Sequence, residues 1–402
     1  MTAIPRYRSQ SGPALLSAGF RPFFLLSPLW AGIGLPLWLA LYTGAVQLPT
    51  ALAPSVWHAH EMVFGFAAAT VAGFMLTAIP NWTGRMPLQG SALATFVLLW
   101  LMGRAAVLFS ADIGAGVAAL LDLSFPTVFL AVIAREIIAG RNWRNLPMLA
   151  ALTLLLAGNT LVHGEAVGVA DTADLGNRLG LVTLLLMISL IGGRIIPSFT
   201  RNWLAKQHPD GNPPAIFSWF DRAVLGATIV ALALWVGTPE SFVTPWICLA
   251  AGVSHILRLA RWRGLATLRE PLVWVLHLGY GWLGVGLCML GLAALLPSLP
   301  ETTALHALTV GCIGTMTLAV MTRATLGHSH RPLTAGRGTV LIYVMVTLAA
   351  VSRLLVPLAG VHGLTVLLLA GGAWSASFGS FAVLYLPLFI RRPPEQALAR
   401  AI

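Results

Sequence analysis

The chain has 402 residues, 57% of them hydrophobic and 9% charged, with a mean hydropathy of +0.84. Repeated apolar runs close to the ~20 residues that cross a bilayer exclude an ordinary soluble domain and point to an all-α polytopic membrane protein. The formal net charge of +11 is no sign of nucleic-acid binding, because no basic stripe with interleaved aromatics occurs outside the apolar runs.

The polar start "MTAIPRYRSQSG" is followed by an apolar run long enough to span, so no cleavable signal peptide is expected. Twelve spans follow in order, at residues 22–44, 57–79, 90–109, 112–138, 146–165, 176–199, 221–238, 241–260, 271–296, 302–326, 338–357 and 363–390, forming a single transmembrane domain over 1–402. With the N-terminus cytoplasmic, all of the 24 basic residues except Arg104, Arg178 and Arg353 fall on the inner side. The outer loops then carry Asp112, Glu165, Asp171, Asp174, Glu240 and Glu301. This asymmetry predicts both termini inside. Cys248, Cys288 and Cys312 each lie within an apolar run and read as packing residues rather than a disulfide or thiolate metal site.

The topology assigns a depth to each polar residue. In "WHAHEMVFG", residues 57–65, His58, His60 and Glu61 open the second span at the outer face; His163 closes the fifth span and His306 opens the tenth at that level. Neutral imidazole is a ligand for haem iron and copper, and histidines gathered at one level suit such a site. His58 and His60 are about 200° apart around a helix, so a regular helix cannot easily offer both to one ion. Glu61, three residues from His58, has the spacing of a carboxylate that orients the imidazole; an interfacial polar cap is the alternative.

Other residues carry weaker signals. Asn159, four residues before His163, shares its helix face, and a hydrogen bond inside the bundle accounts for that pair without a cofactor. His277 and Tyr280 lie deeper on the ninth span, where the phenol is either a proton donor or a buried packing group. Arg194 and Arg323, near the inner ends of the sixth and tenth spans, suit haem propionates or an anionic substrate, or else anchor the inner face. No nucleotide-binding P-loop, GxSxG elbow or HExxH motif is present.

A threefold pattern runs through the spans. Pro22, Pro147 and Pro271, separated by 125 and 124 residues, open the first, fifth and ninth. His60, Asn177 and His306 open the second, sixth and tenth, with Thr77, Arg194 and Arg323 each 17 residues later. The pattern divides the chain into repeats 15–144, 145–269 and 270–402, three four-helix arcs with His60 and His306 equivalent, unless it reflects chance likeness among apolar runs.

The ordered blocks "FRPFFLLSPLWAG", "WHAHEMVFGFAAATVAGFMLTAIPNWTG", "LVTLLLMISLIGGRIIPSFTRNW", "REPLVWVLHLGYGWLGVGL" and "HALTVGCIGTMTLAVMTRATLGHSHRPL" resemble the NnrS family over nearly the whole chain. That resemblance implies a bacterial inner-membrane protein of twelve helices that carries haem and copper and is linked to denitrification and nitric oxide resistance. It does not hand over a reaction, and whether the protein is an enzyme stays open. Three arcs with haem also resemble subunit I of the haem-copper oxidases, although the sixth and seventh spans offer no histidine here and no adjacent His-His pair exists.

The expectation is therefore a haem-binding, copper-binding membrane protein that meets nitric oxide, with membrane lipid and an electron donor as partners. His60 and His306 are the expected axial pair, with His58, His163 and His277 as further ligands. A transporter of metal, haem or a small solute with a histidine-lined outer site is the alternative.

Overall fold

The structure is a computed structural model that describes residues 12–207 and 211–392, and all regular structure among them is helical. Both chain ends, with Arg6, Arg8 and Arg400, lie outside the described residues. Eleven helices are long and apolar enough to cross a membrane: Phe20–Tyr42 (α1), Pro54–Thr83 (α2), Gly90–Leu108 (α3), Ala115–Ala139 (α4), Trp143–Ala166 (α5), Ala173–Gln207 (α6), Trp219–Gly237 (α7), Pro271–Leu295 (α9), Glu301–His328 (α10), Arg337–Leu358 (α11) and Gly360–Ile390 (α12). The remaining expected span is the apolar helix Thr244–Ala260 (α8), whose 17 residues fall short of that length. The chain is thus an all-helical polytopic membrane protein with eleven such helices among the described residues.

Local chemistry sets the helix starts. Pro22, Pro147 and Pro271 lie in the first turns of α1, α5 and α9, where the missing N–H would be unpaired in any case. At the start of α7, Ser218 and Asp221 form a reciprocal cap: the Ser218 backbone N–H and hydroxyl both donate to Asp221 Oδ2, at 2.9 and 3.0 Å.

Three helices depart from the regular α repeat. A π-helical stretch occupies Glu61–Ala67 in α2, Ile188–Gly192 in α6 and Ala307–Gly314 in α10. The wider turn leaves carbonyls open to side chains, as when Trp100 Nε1 donates to the Gly65 carbonyl at 3.0 Å.

The chain forms two compact units. The first holds residues up to Thr183 together with 324–332 and 378 onward. Its interior includes Phe23, Phe96, Phe125 and Phe129, with ring centroids 5.8 to 6.2 Å apart across α1, α3 and α4. Arg21, expected as an inner-face charge, is instead buried there, and its NH1 donates to the carbonyls of Phe389 and Arg391 at the end of α12, at 3.0 and 2.9 Å. The second unit holds residues 184–323 and 333–377. In it α8 lies antiparallel along α9 through small residues. A Cβ on Gly252 would sit 2.6 Å from the Cys288 nitrogen and 2.7 Å from the Gly284 carbonyl, so the two backbones are close. Cys248 and Cys312 are buried and Cys288 half-buried, all as free thiols.

Candidate functional site

Five helices of the first unit bring together a closed cluster of charged and polar side chains. His60 ends the first α-helical turns of α2 and Glu61 begins its π stretch; Arg104 comes from α3, Asp122 from α4, and Asn159 and His163 from α5. Every one of these side chains is buried, His60 and Glu61 completely. Trp30 on α1 adds an indole N–H to Glu61 Oε2 at 2.7 Å.

The hydrogen bonds have definite directions. Arg104 donates to Glu61 Oε1 at 2.6 Å and also to Asp122 Oδ1. Asn159 Nδ2 donates to Asp122 Oδ2 at 2.8 Å, which leaves Asn159 Oδ1 facing His60 Nε2 at 2.8 Å. His163 Nε2 meets Asp122 Oδ2 at 3.0 Å. His60 Nδ1 faces Glu61 Oε1 at 2.9 Å, so both nitrogens of this ring point at oxygen acceptors. In this arrangement both donate, and the ring must release a proton to bind a metal ion. Two carboxylates, one guanidinium and the doubly protonated ring balance in charge, which a buried ionic group requires.

His60, Asp122 and His163 each offer a ligand atom, and these atoms lie within 4.8 Å of one another. Two imidazoles and a carboxylate form a donor set for first-row transition ions such as copper, iron or zinc. Glu61 and Asn159, hydrogen-bonded to His60, would hold its ring orientation.

The other expected site residues separate from this cluster. His58 points elsewhere than His60, its ring stacked on Trp38 at a centroid distance of 4.3 Å. Glu61, spaced to orient His58, binds its direct neighbour His60 instead. His306 is half-buried, and its Nδ1 donates to the Thr302 carbonyl at 2.6 Å. His277 pairs with Thr200 at 2.8 Å, and its Nδ1, without a hydrogen bond, abuts Gly264. Tyr280 is buried between Arg258 and His255. Arg194 is exposed, and Arg323 lies over the Phe199 ring at 4.0 Å.

Asp122 was missed by the sequence reading, although a lone acid in the apolar run "ALLDLSF" is a functional candidate by its cost alone. Arg104 had been noted only as a possible neighbour of the outer level. Arg258, expected with the basic residues of the inner side, is buried and paired with the equally buried Asp221, Nε to Oδ1 at 2.9 Å.

A match to the family described as NnrS protein covers residues 14–392. The chain belongs to the NnrS family. This membership links it to the nitric oxide response, in keeping with the motif blocks, and the buried His60–Asp122–His163 set hints at metal binding. No curated protein matches the chain.

Proposed function

We propose that this NnrS family member is a metal- and haem-binding membrane protein that acts on or senses nitric oxide. The observation that carries the reading is the buried His60–Asp122–His163 donor set. We assign the copper implied by the family resemblance to these three residues, with Glu61, Arg104 and Asn159 fixing their orientation. A cation that takes the place of the His60 ring proton keeps the two carboxylates compensated.

For haem, His306 would be a ligand from the level at which the tenth span opens; its Nδ1 bond to Thr302 would fix the orientation of the ring. His60 fits haem less well than the cluster, since both its nitrogens already have partners there. Haem, when bound, would supply iron that binds nitric oxide, a small neutral ligand that partitions into lipid.

The test is metal analysis and optical spectroscopy of detergent-purified protein made with ample haem and copper. Asp122→Asn and His163→Ala are each expected to lose the non-haem metal, and His306→Ala to lose or convert the Soret band. A spectrum without a Soret band would refute the haem assignment. Unchanged metal content in both cluster variants would move the metal site elsewhere. Metal flux into vesicles without retained metal or haem would favour the transporter.

A further inference from the structure

Exposed apolar side chains along a spanning helix face lipid, but the loops at helix ends leave the hydrocarbon, and large apolar groups gathered there mark an interaction surface. Two loops of the second unit carry such groups. The first is the non-helical stretch 212–218 that leads into α7. Ile216 and Phe217 are exposed on it, and Trp219, the first residue of α7, is 73% exposed. The second, residues 261–270, joins α8 to α9 through one short helical turn, Gly264–Thr267, where Leu265 is 85% exposed and Leu268 is exposed beside it.

The two loops are tied to each other. The Ala215 N–H donates to the Arg261 carbonyl at 3.1 Å, and Arg263 NH1 donates to the Asn212 carbonyl. Pro214 and Trp262, one from each loop, are buried, and the Arg261 guanidinium lies over the Phe220 ring at 4.8 Å. The apolar side chains are therefore held outward on a fixed backbone. Basic groups flank them: Arg222, Arg263 and Arg269 are all exposed. Among the described residues of these loops and the first turn of α7, the acids are Asp221 and Glu270. Both are engaged within the protein, Asp221 with Arg258 and Glu270 as acceptor of the Leu272 N–H at 3.1 Å.

We propose that residues 212–222 and 261–269 form an interfacial anchor for anionic phospholipid. Phe217, Trp219 and Leu265 sit at the boundary of headgroups and acyl chains, and Arg222, Arg263 and Arg269 meet the phosphates. Two observations favour lipid over a protein partner. The loops are the direct ends of α7 and α9, which are long enough to cross the membrane, so a headgroup layer adjoins them. The exposed charges are of one sign, which suits a layer of phosphates better than the mixed charge of a protein surface. By the distribution of basic residues the leaflet is the cytoplasmic one. The anchor is independent of the metal and haem assignments above.

The test uses the full-length protein in nanodiscs of phosphatidylcholine with or without phosphatidylglycerol, and native mass spectrometry of the lipid it retains in detergent. Retention of phosphatidylglycerol over phosphatidylcholine, with a higher unfolding temperature in the anionic discs, is expected. Replacing Arg222, Arg263 and Arg269 together by glutamine should lower that retention at least about tenfold, since each arginine near an anionic surface contributes about 1 kcal/mol. Arg222→Gln alone gives the same comparison, with a smaller loss, should the triple variant fail to fold. The fluorescence that Trp219→Phe removes should be quenched more by lipid brominated near the glycerol backbone than by lipid brominated near the chain end. Equal retention of the two lipids by the unaltered protein would overturn the proposal, as would an undiminished preference in the folded variants. Trp219 fluorescence untouched by either brominated lipid would also overturn it and assign the loops to water or to another protein.

Discussion

Asp122 accepts hydrogen bonds from Arg104, Asn159 and His163 and lies 3.3 Å from His60 Nε2, so one carboxylate ties three helices to α2. Arg104 does the corresponding work for the negative groups, contacting Glu61 and Asp122 together. Replacing it with leucine leaves two buried carboxylates with only the doubly protonated His60 ring to offset them, a loss of about 3–5 kcal/mol by analogy with broken buried ion pairs. Thermal unfolding in detergent should show Arg104→Leu strongly destabilised, and Arg104→Leu with Glu61→Gln partly recovered because one unpaired charge is gone. Equal stability of the single and double variants would show that charge compensation is not what Arg104 provides. At this scale the sequence was informative about cost but not about partnership. His60, His163 and Glu61 stood out as titratable groups in apolar surroundings, whereas their common partner Asp122 could be chosen only once α3, α4 and α5 were placed against α2. Arg258 was hidden for the opposite reason: in "HILRLARWRG" it sits among arginines that look like ordinary inner-face charge.

At the level of helices, the apolar runs reported the elements to within a few residues, because length and hydrophobicity are what a bilayer selects. The π stretches were not legible, since one extra residue per turn leaves no mark in an apolar run. Two of them nevertheless coincide with the expected repeat: they begin at the residue after His60 and the residue after His306. The stretch in α6 begins eleven residues beyond Asn177 and does not share that offset. The π turn in α2 also explains Gly65. A Cβ there would be 2.7 Å from Arg104 NH1 and 2.9 Å from Glu61 Oε2, so the glycine admits the ion pair to the helix surface. Alanine normally favours a helix over glycine by about 1 kcal/mol. Here Gly65→Ala should lower the unfolding temperature and reduce bound metal, because the methyl displaces the groups that hold His60. A variant as stable and as metal-rich as the unaltered protein would refute this account of the close approach.

For the whole molecule, the number of crossings hinges on α8. Its 17 residues rise about 26 Å at 1.5 Å each, a little less than the ~30 Å hydrocarbon core. Packing argues that it crosses all the same. Pro245 and Leu249 meet Gly291, Gly252 meets Cys288 and Gly284, and Leu259 meets Gly281, so α8 runs antiparallel along most of the 25-residue α9. Small residues permit this approach, and a shorter apolar stretch is accommodated at modest cost by local thinning or by snorkelling of Arg261 at its end. Arg258 itself is held inside by Asp221, so only Arg261 is placed to reach the interface. Twelve crossings put the two termini on the same side, and eleven put them on opposite sides. The distribution of basic residues predicts the same side, the cytoplasmic one. Reporter domains that are active only on the cytoplasmic or only on the outer side of the membrane, fused in turn to each end of the full chain, should both report a cytoplasmic position, and a reporter placed in the loop at Glu240 should report the outside. Opposite locations of the two ends would mean that α8 does not cross, and the charge argument for the helices beyond it would reverse.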